Sequence, residues 1–267
     1  MNKTIIAAGS GPCYSKWPHW PVWTKMFQLA YRASLIDASG PAAGNKFIYR
    51  SVLTQMQKAS SDLVLVQWNL GKFDLYVENP AFIASIVNGT NIRNFLVEIE
   101  TGKTLTAGPG YWCSSNDNTV EWKRTYNELI KTKRGTALDD LDHMINLQNI
   151  CAKKGIEYKF FLHDKIDHEY FSTDSHLKTL YNEIDWTAQT FPSVREMYES
   201  HESFQYDTFG KVLEFHSVPN ADWQYWFLSE MISKITDTMN IARKPDWEKL
   251  KQYCHNKTLE CYAKINN

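Results

Sequence analysis

The stretch Thr4–Ala8 is a continuous apolar run bounded by glycine, and Leu63–Trp68, LVLVQW, introduced by Asp62, is the strongest strand pattern in the chain. Runs of this length suit strands buried on both faces, the kind that parallel sheets use. Between them the period changes. Val22, Met26, Leu29 and Ala30 recur at helical spacing within Pro21–Ala33, and Pro21 suits a first helical turn. Phe47, Tyr49, Val52, Leu53 and Met56 do the same within Lys46–Ala59. A short run at Ser34–Ala38 reads as a further strand, closed by the loop Ser39–Asn45. The first 68 residues therefore predict β-α-β-α-β with right-handed crossovers, a doubly wound α/β sheet.

The pattern is less regular beyond this point. Asn94–Ile99 and Lys103–Ala107 flank Glu100-Thr-Gly102 and predict an inserted hairpin. Gly108–Asn118 is dense in glycine, proline and asparagine and reads as loop. Thr119–Thr132 and Leu138–Ala152 read as two helices broken at Gly135, and Ile156–Leu162 as the next buried strand. Residues 164–210 show weak periodicity, and Lys211–Phe215 fits a short strand. Ala221–Ile235 is strongly helical, with Trp223, Trp226, Phe227, Met231 and Ile235 on one face. A last helix follows Pro245, from Asp246 to Tyr262. No repeat, low-complexity tract or linker divides the chain. The expected organisation is one α/β domain over 1–241, with its hairpin insertion near 94–107, and a helical extension over 242–267 packed on it.

Composition narrows the function classes. The 267 residues carry a net charge of −1, so no broad electrostatic grip on nucleic acid is expected. The five cysteines are widely spaced with no CxxC, which argues against a disulfide framework or structural zinc. No apolar stretch approaches the ~20 residues that span a bilayer. A soluble protein made in a reducing cytoplasm is expected. Ten tryptophans, within 14% aromatic residues, suit a contact surface. A protein partner or self-assembly is therefore expected, with carbohydrate as a further ligand class.

Three stretches carry candidate chemistry. Gly9-Ser-Gly-Pro12 follows a strand and precedes a helix, a shape shared by phosphate loops, dinucleotide loops and nucleophile elbows. No Gly-Lys-Ser/Thr follows, and Pro12 removes a backbone donor, so no nucleotide or other cofactor is expected. Cys13 beside this turn reads as a buried, inert thiol. His163, Asp164, Asp167 and His168 cluster just past a strand. The two histidines are five apart, off helical or strand periodicity for a shared metal, so the cluster reads as a solvated loop. Trp17 and Trp20 lie beside the mouth of the turn, placed to plug a cleft, meet a protein partner or stack on a sugar.

Four blocks in order resemble the SGNH (GDSL-type) hydrolases. They are Ala7-Ala-Gly-Ser-Gly-Pro-Cys13, Ala43-Gly-Asn45, Val64-Leu-Val-Gln-Trp68, and Phe215-His-Ser-Val-Pro219 before Ala221-Asp-Trp-Gln-Tyr-Trp226. The resemblance implies a flavodoxin-like three-layer α/β/α sandwich with a parallel sheet of about five strands. It also implies an esterase site of serine nucleophile, histidine base and orienting aspartate, with an oxyanion hole. Aligned on Gly9, the nucleophile position holds Gly11. Aligned on Pro219, the base position holds Val218 and the orienter position Phe215. None of these can attack or transfer a proton. Gly44 and Asn45 match the second block, and Asn69 follows the third. The implied protein is an impaired, non-catalytic relative retained as a structural or interaction module, of a subtype associated with phage particles. A shifted register leaves an active esterase or deacetylase open, with Ser10 as nucleophile, His216 as base and Glu214 as orienter. A non-catalytic carbohydrate-binding protein is the third reading.

Overall fold

The computed structural model describes residues 4–10, 22–31, 34–40, 43–71, 74–77, 111–114, 132–200, 221–235 and 246–265. Its centre is a parallel sheet of β1 (Thr4–Ala8), β2 (Ser34–Asp37), β3 (Leu63–Trp68) and β6 (Glu157–Leu162), ordered β2-β1-β3-β6. Ile6 pairs with Ile36 on one side and Val64 on the other, and Val64 pairs in turn with Tyr158. The strands start level because Asp62 ties them. Its carboxylate accepts the Thr4 N–H at 2.8 Å, and its carbonyl accepts the Glu157 N–H at 3.1 Å.

Helices cover both faces, which is why β1 and β3 are apolar without alternation. Ile5, Ala7, Leu63, Leu65 and Phe161 meet α1 (Trp23–Tyr31), α7 (Ala221–Ile235) and α8 (Trp247–Ile265). Ile6, Ala8, Val64, Val66, Trp68, Phe160 and Leu162 meet α2 (Asn45–Lys58) and α3 (Lys133–Lys154). The first face is aromatic. Phe227 lies 6.2 Å from Trp23, 5.4 Å from Phe161 and 4.9 Å from Trp223, ring centre to ring centre, distances at which ring pairs attract. Buried Gln224 of α7 caps α1 from across the core, its Oε1 accepting the Trp23 N–H at 3.0 Å. Leu250 and Cys254 of α8 enter the same core, so the final helix shares the apolar interior of the sheet. Trp223 is fully buried and Trp226 packs partly exposed against this core.

Several boundaries shift and some expectations are corrected. Gly135 does not break a helix: α3 runs through it, and the Gly135 N–H is taken by the N-cap hydroxyl of Thr132 at 2.9 Å. The helix ends at Gly155, whose φ of 65° lets Ile156 N bond Cys151 O and Gly155 N bond Ala152 O. Tyr111–Ser114, read as loop, is β5, paired antiparallel with an unforeseen β4 (Asp74–Val77). Its aromatic pair favours a strand that the surrounding Gly and Pro obscure. The weakly periodic segment after β6 folds as α4 (His168–Ser172), α5 (Ser175–Glu183), a 3-10 turn (Trp186–Ala188) and α6 (Val194–Ser200). The sheet has four strands among the described residues. Gln189 and Thr190 reach the outer edge of β6, by a parallel bridge from Gln189 to Phe160 and a bond from Thr190 N to Phe160 O at 2.8 Å. The expected hairpin at 94–107, most of the helix at 119–132 and the strand at 211–215 lie outside the described residues. No helix among the described residues is long and apolar enough to cross a membrane.

Candidate functional site

The carboxyl ends of β1, β2, β3 and β6 lie side by side, and in open parallel sheets ligands are taken there. Two loops lie against each other at this edge. The Ala38 N–H reaches Ala7 O at 2.7 Å and the Gly40 N–H reaches Gly9 O at 3.0 Å. A Cβ at Gly40 would sit 2.7 Å from the Phe47 ring, so a side chain there requires that ring to shift. Ser39, almost fully buried, donates its hydroxyl to Asp37 Oδ1, which also accepts the Ser39 N–H at 2.9 Å. This is the local turn chemistry of Asp and Ser.

The centre of the edge is a network of carboxamides on a carboxylate. Asn45 opens α2 and is 1% exposed. Its Nδ2 donates to Asp140 Oδ1 at 2.7 Å, and its Oδ1 accepts the Asn69 N–H at 2.7 Å. Asn69 returns to the start of the same helix, its Nδ2 donating to Ala43 O at 2.7 Å. Asp140 Oδ2 accepts the Gly71 N–H at 2.7 Å. One carboxylate on α3 thus holds the α2 N-terminus and the chain leaving β3. Its cost of burial is offset by charge-assisted bonds.

On the other face of the same edge, fully buried Gln67 lies beside His163, with Nε2 to Nδ1 at 2.7 Å. His163 is held at both backbone groups. Its N–H bonds Trp68 O at 2.8 Å, and its carbonyl accepts the Arg195 N–H at 3.0 Å. Gln67 Nε2 can only donate, so the contact is a hydrogen bond in the tautomer whose ring proton sits on Nε2.

The other members of the acidic-histidine cluster go elsewhere. Asp164 pairs with Arg195 at 3.1 Å, Asp167 caps α4, and His168 bonds the Tyr181 hydroxyl. No group of metal-ligating side chains gathers among the described residues. The buried thiols of Cys151 and Cys254 are each pushed up to about 12 by burial, which keeps them protonated and unreactive at neutral pH.

Of the residues singled out from sequence, Ser10, Gly44, Asn45 and Asn69 are placed at this edge. Ser10 lies two residues past β1 and is 2% exposed. Gly44 is the N-cap of α2. Gly11, Cys13, Trp17, Trp20, Glu214, Phe215, His216 and Val218 lie outside the described residues. Sequence reasoning missed Asp140, although a signal existed. It falls on the buried stripe of α3 with Ala137, Leu141, Met144, Leu147 and Cys151, where a carboxylate needs a partner. Gln67 was equally visible as a polar residue in an otherwise apolar strand.

The chain matches no protein-family model, no curated protein and no solved structure. What the fold and its edge define is an α/β protein with a parallel sheet. The carboxyl edge is organised by a buried Asn–Asn–Asp network.

Proposed function

We propose that this is an SGNH-hydrolase-like protein that uses the carboxyl edge of its sheet for binding, as a structural or interaction module, without turnover. The strand order β2-β1-β3-β6 supports the scaffold part of this reading, since it is the start of the flavodoxin-like order 2-1-3-4-5. Gln189 and Thr190 support it further. They occupy the outer edge of β6 through the bridge to Phe160 and a 2.8 Å bond from Thr190 N to Phe160 O, where a fifth strand would lie.

The observation that carries the non-catalytic part is the state of the two asparagines. Asn45 spends both ends of its carboxamide on Asp140 and on the Asn69 backbone. Asn69 bonds the Ala43 carbonyl through its amide nitrogen. The two asparagines that stand at the second and third blocks of the resemblance are thus engaged as scaffold. In the sequence, Gly11, Phe215 and Val218 fill the positions of nucleophile, orienter and base. Losing the whole catalytic unit leaves at most binding and residual stabilisation.

The test is hydrolysis of p-nitrophenyl acetate by the full chain and by Ser10→Ala. Rates equal to buffer for both are expected. Turnover that disappears in Ser10→Ala would overturn the reading in favour of an esterase built on Ser10, His216 and Glu214.

A further inference from the structure

Two contacts join α2 to α3 behind the carboxyl edge. Asn45 bonds Asp140 at 2.7 Å, and one turn further along both helices Tyr49 packs against His143, ring centres 5.0 Å apart. They are successive rungs of one seam. Around them the seam is apolar, with Ile48 and Val52 of α2 and Leu141, Met144 and Leu147 of α3 in a common core.

His143 is the weak rung. Its Nδ1 is buried and has no hydrogen-bond partner. A neutral imidazole can carry its proton on Nε2 and leave Nδ1 bare, whereas an imidazolium has an N–H at both nitrogens. A buried N–H without an acceptor is costly, and so is a buried charge. Burial accordingly holds the His143 pKa below the ordinary 6.5. The charged groups that face the ring divide. Asp139 and Asp142 of α3 favour the cation, Asp139 also through its backbone, and Lys46 of α2 opposes it. A second cation of α2, Arg50, lies 6.0 Å from the centre of the Tyr49 ring. Once protonated, the half-buried His143 ring is better solvated away from Tyr49 than against it. A close-packed seam carries such a displacement one turn back to Asn45.

We propose that His143 is a proton-operated latch on the carboxyl edge: once protonated its ring leaves Tyr49, α2 shifts against α3, and Asn45 loosens from Asp140. A ligand held at this edge is then bound at neutral pH and released in mild acid. That consequence rests on the reading of this edge as a binding site; the latch itself does not.

The test is a titration of the 15N-labelled full chain from about pH 8 to about pH 5, read by NMR at the His143 imidazole and the Asn45 side-chain amide. The Asn45 amide is expected to move towards the shifts of a free carboxamide with the same midpoint as His143. In His143→Phe, which keeps a ring on Tyr49, it is expected to stay in place over that range. An Asn45 amide that stays still while wild-type His143 titrates, that moves with a different midpoint, or that moves as before in His143→Phe would overturn the latch. The wild-type midpoints decide this even where the variant does not fold. Ester hydrolysis that depends on Ser10 would refute the non-catalytic reading alone and leave this titration unaffected.

Discussion

Replacing Asp140 tests the network at its most connected point. Asp140 is 3% exposed and accepts two bonds of 2.7 Å, from Asn45 Nδ2 and from Gly71 N. A hydrogen bond to a charged group contributes about 1.5–3 kcal/mol net. Removing both acceptors in Asp140→Ala should therefore cost about 3–6 kcal/mol. Release from the cost of burying a carboxylate draws the value towards the lower end. Asp140→Asn keeps the shape and one accepting oxygen but turns an amide N–H towards a donor, so about 1.5–3 kcal/mol is expected. Both losses are measurable in a domain whose total stability is about 5–15 kcal/mol. The assay is urea unfolding with the slope unchanged between variants, so that a shift in midpoint reports stability. Asn45→Ala combined with Asp140→Ala should fall short of additivity by about 1–2 kcal/mol, because the two share a bond. A loss below about 1 kcal/mol for Asp140→Ala, or a coupling near zero, would refute the view that this carboxylate holds the edge together.

Three further outcomes follow from the same physics. Gln224→Leu removes the cap that α7 supplies to α1 at Trp23 N and should cost about 1–2 kcal/mol in urea unfolding; no loss would show that the α1 terminus is satisfied without it. Gly155→Ala meets no atom within 4 Å, so its cost is that of a left-handed backbone alone, about 1–2 kcal/mol, and a neutral result would contradict the φ of 65°. His143 packs against Tyr49, ring centres 5.0 Å apart and tilted by 47°, and burial holds its pKa below the ordinary 6.5. The folded protein then resists a proton that the unfolded chain accepts. Stability present above pH 6.5 is lost as pH falls through that value towards the folded pKa, and His143→Phe should flatten the pH dependence of Tm between 5 and 7.5.

The parallel β-α-β-α-β start was legible because burial on both faces forces unbroken apolar runs, and crossover helices show a clean 3.6-residue period. The helix over Ala221–Ile235 was legible to the residue for the same reason. The short helices after β6 were not. Their ends are set by side-chain caps, Asp167 on Tyr170 N and Asp174 on His176 and Leu177 N, and each buries too few positions to show a period. Gly135 misled because glycine marks a break in isolation, whereas in the first turn of α3 its N–H is an orphan donor that Thr132 can take. At the edge, the sequence by itself determined which residue types stand there: Ser10, Asn45, Gln67 and Asn69. It could not say what they bond. The partner of Asn45 lies 95 positions away on α3, and the partner of Gln67 lies 96 away at the end of β6. Hydrogen bonds are short and directional, so such pairings depend on how crossovers stack helices and strands. Hydrophobic periodicity fixes which face is buried, and only the tertiary structure decides which polar groups meet there.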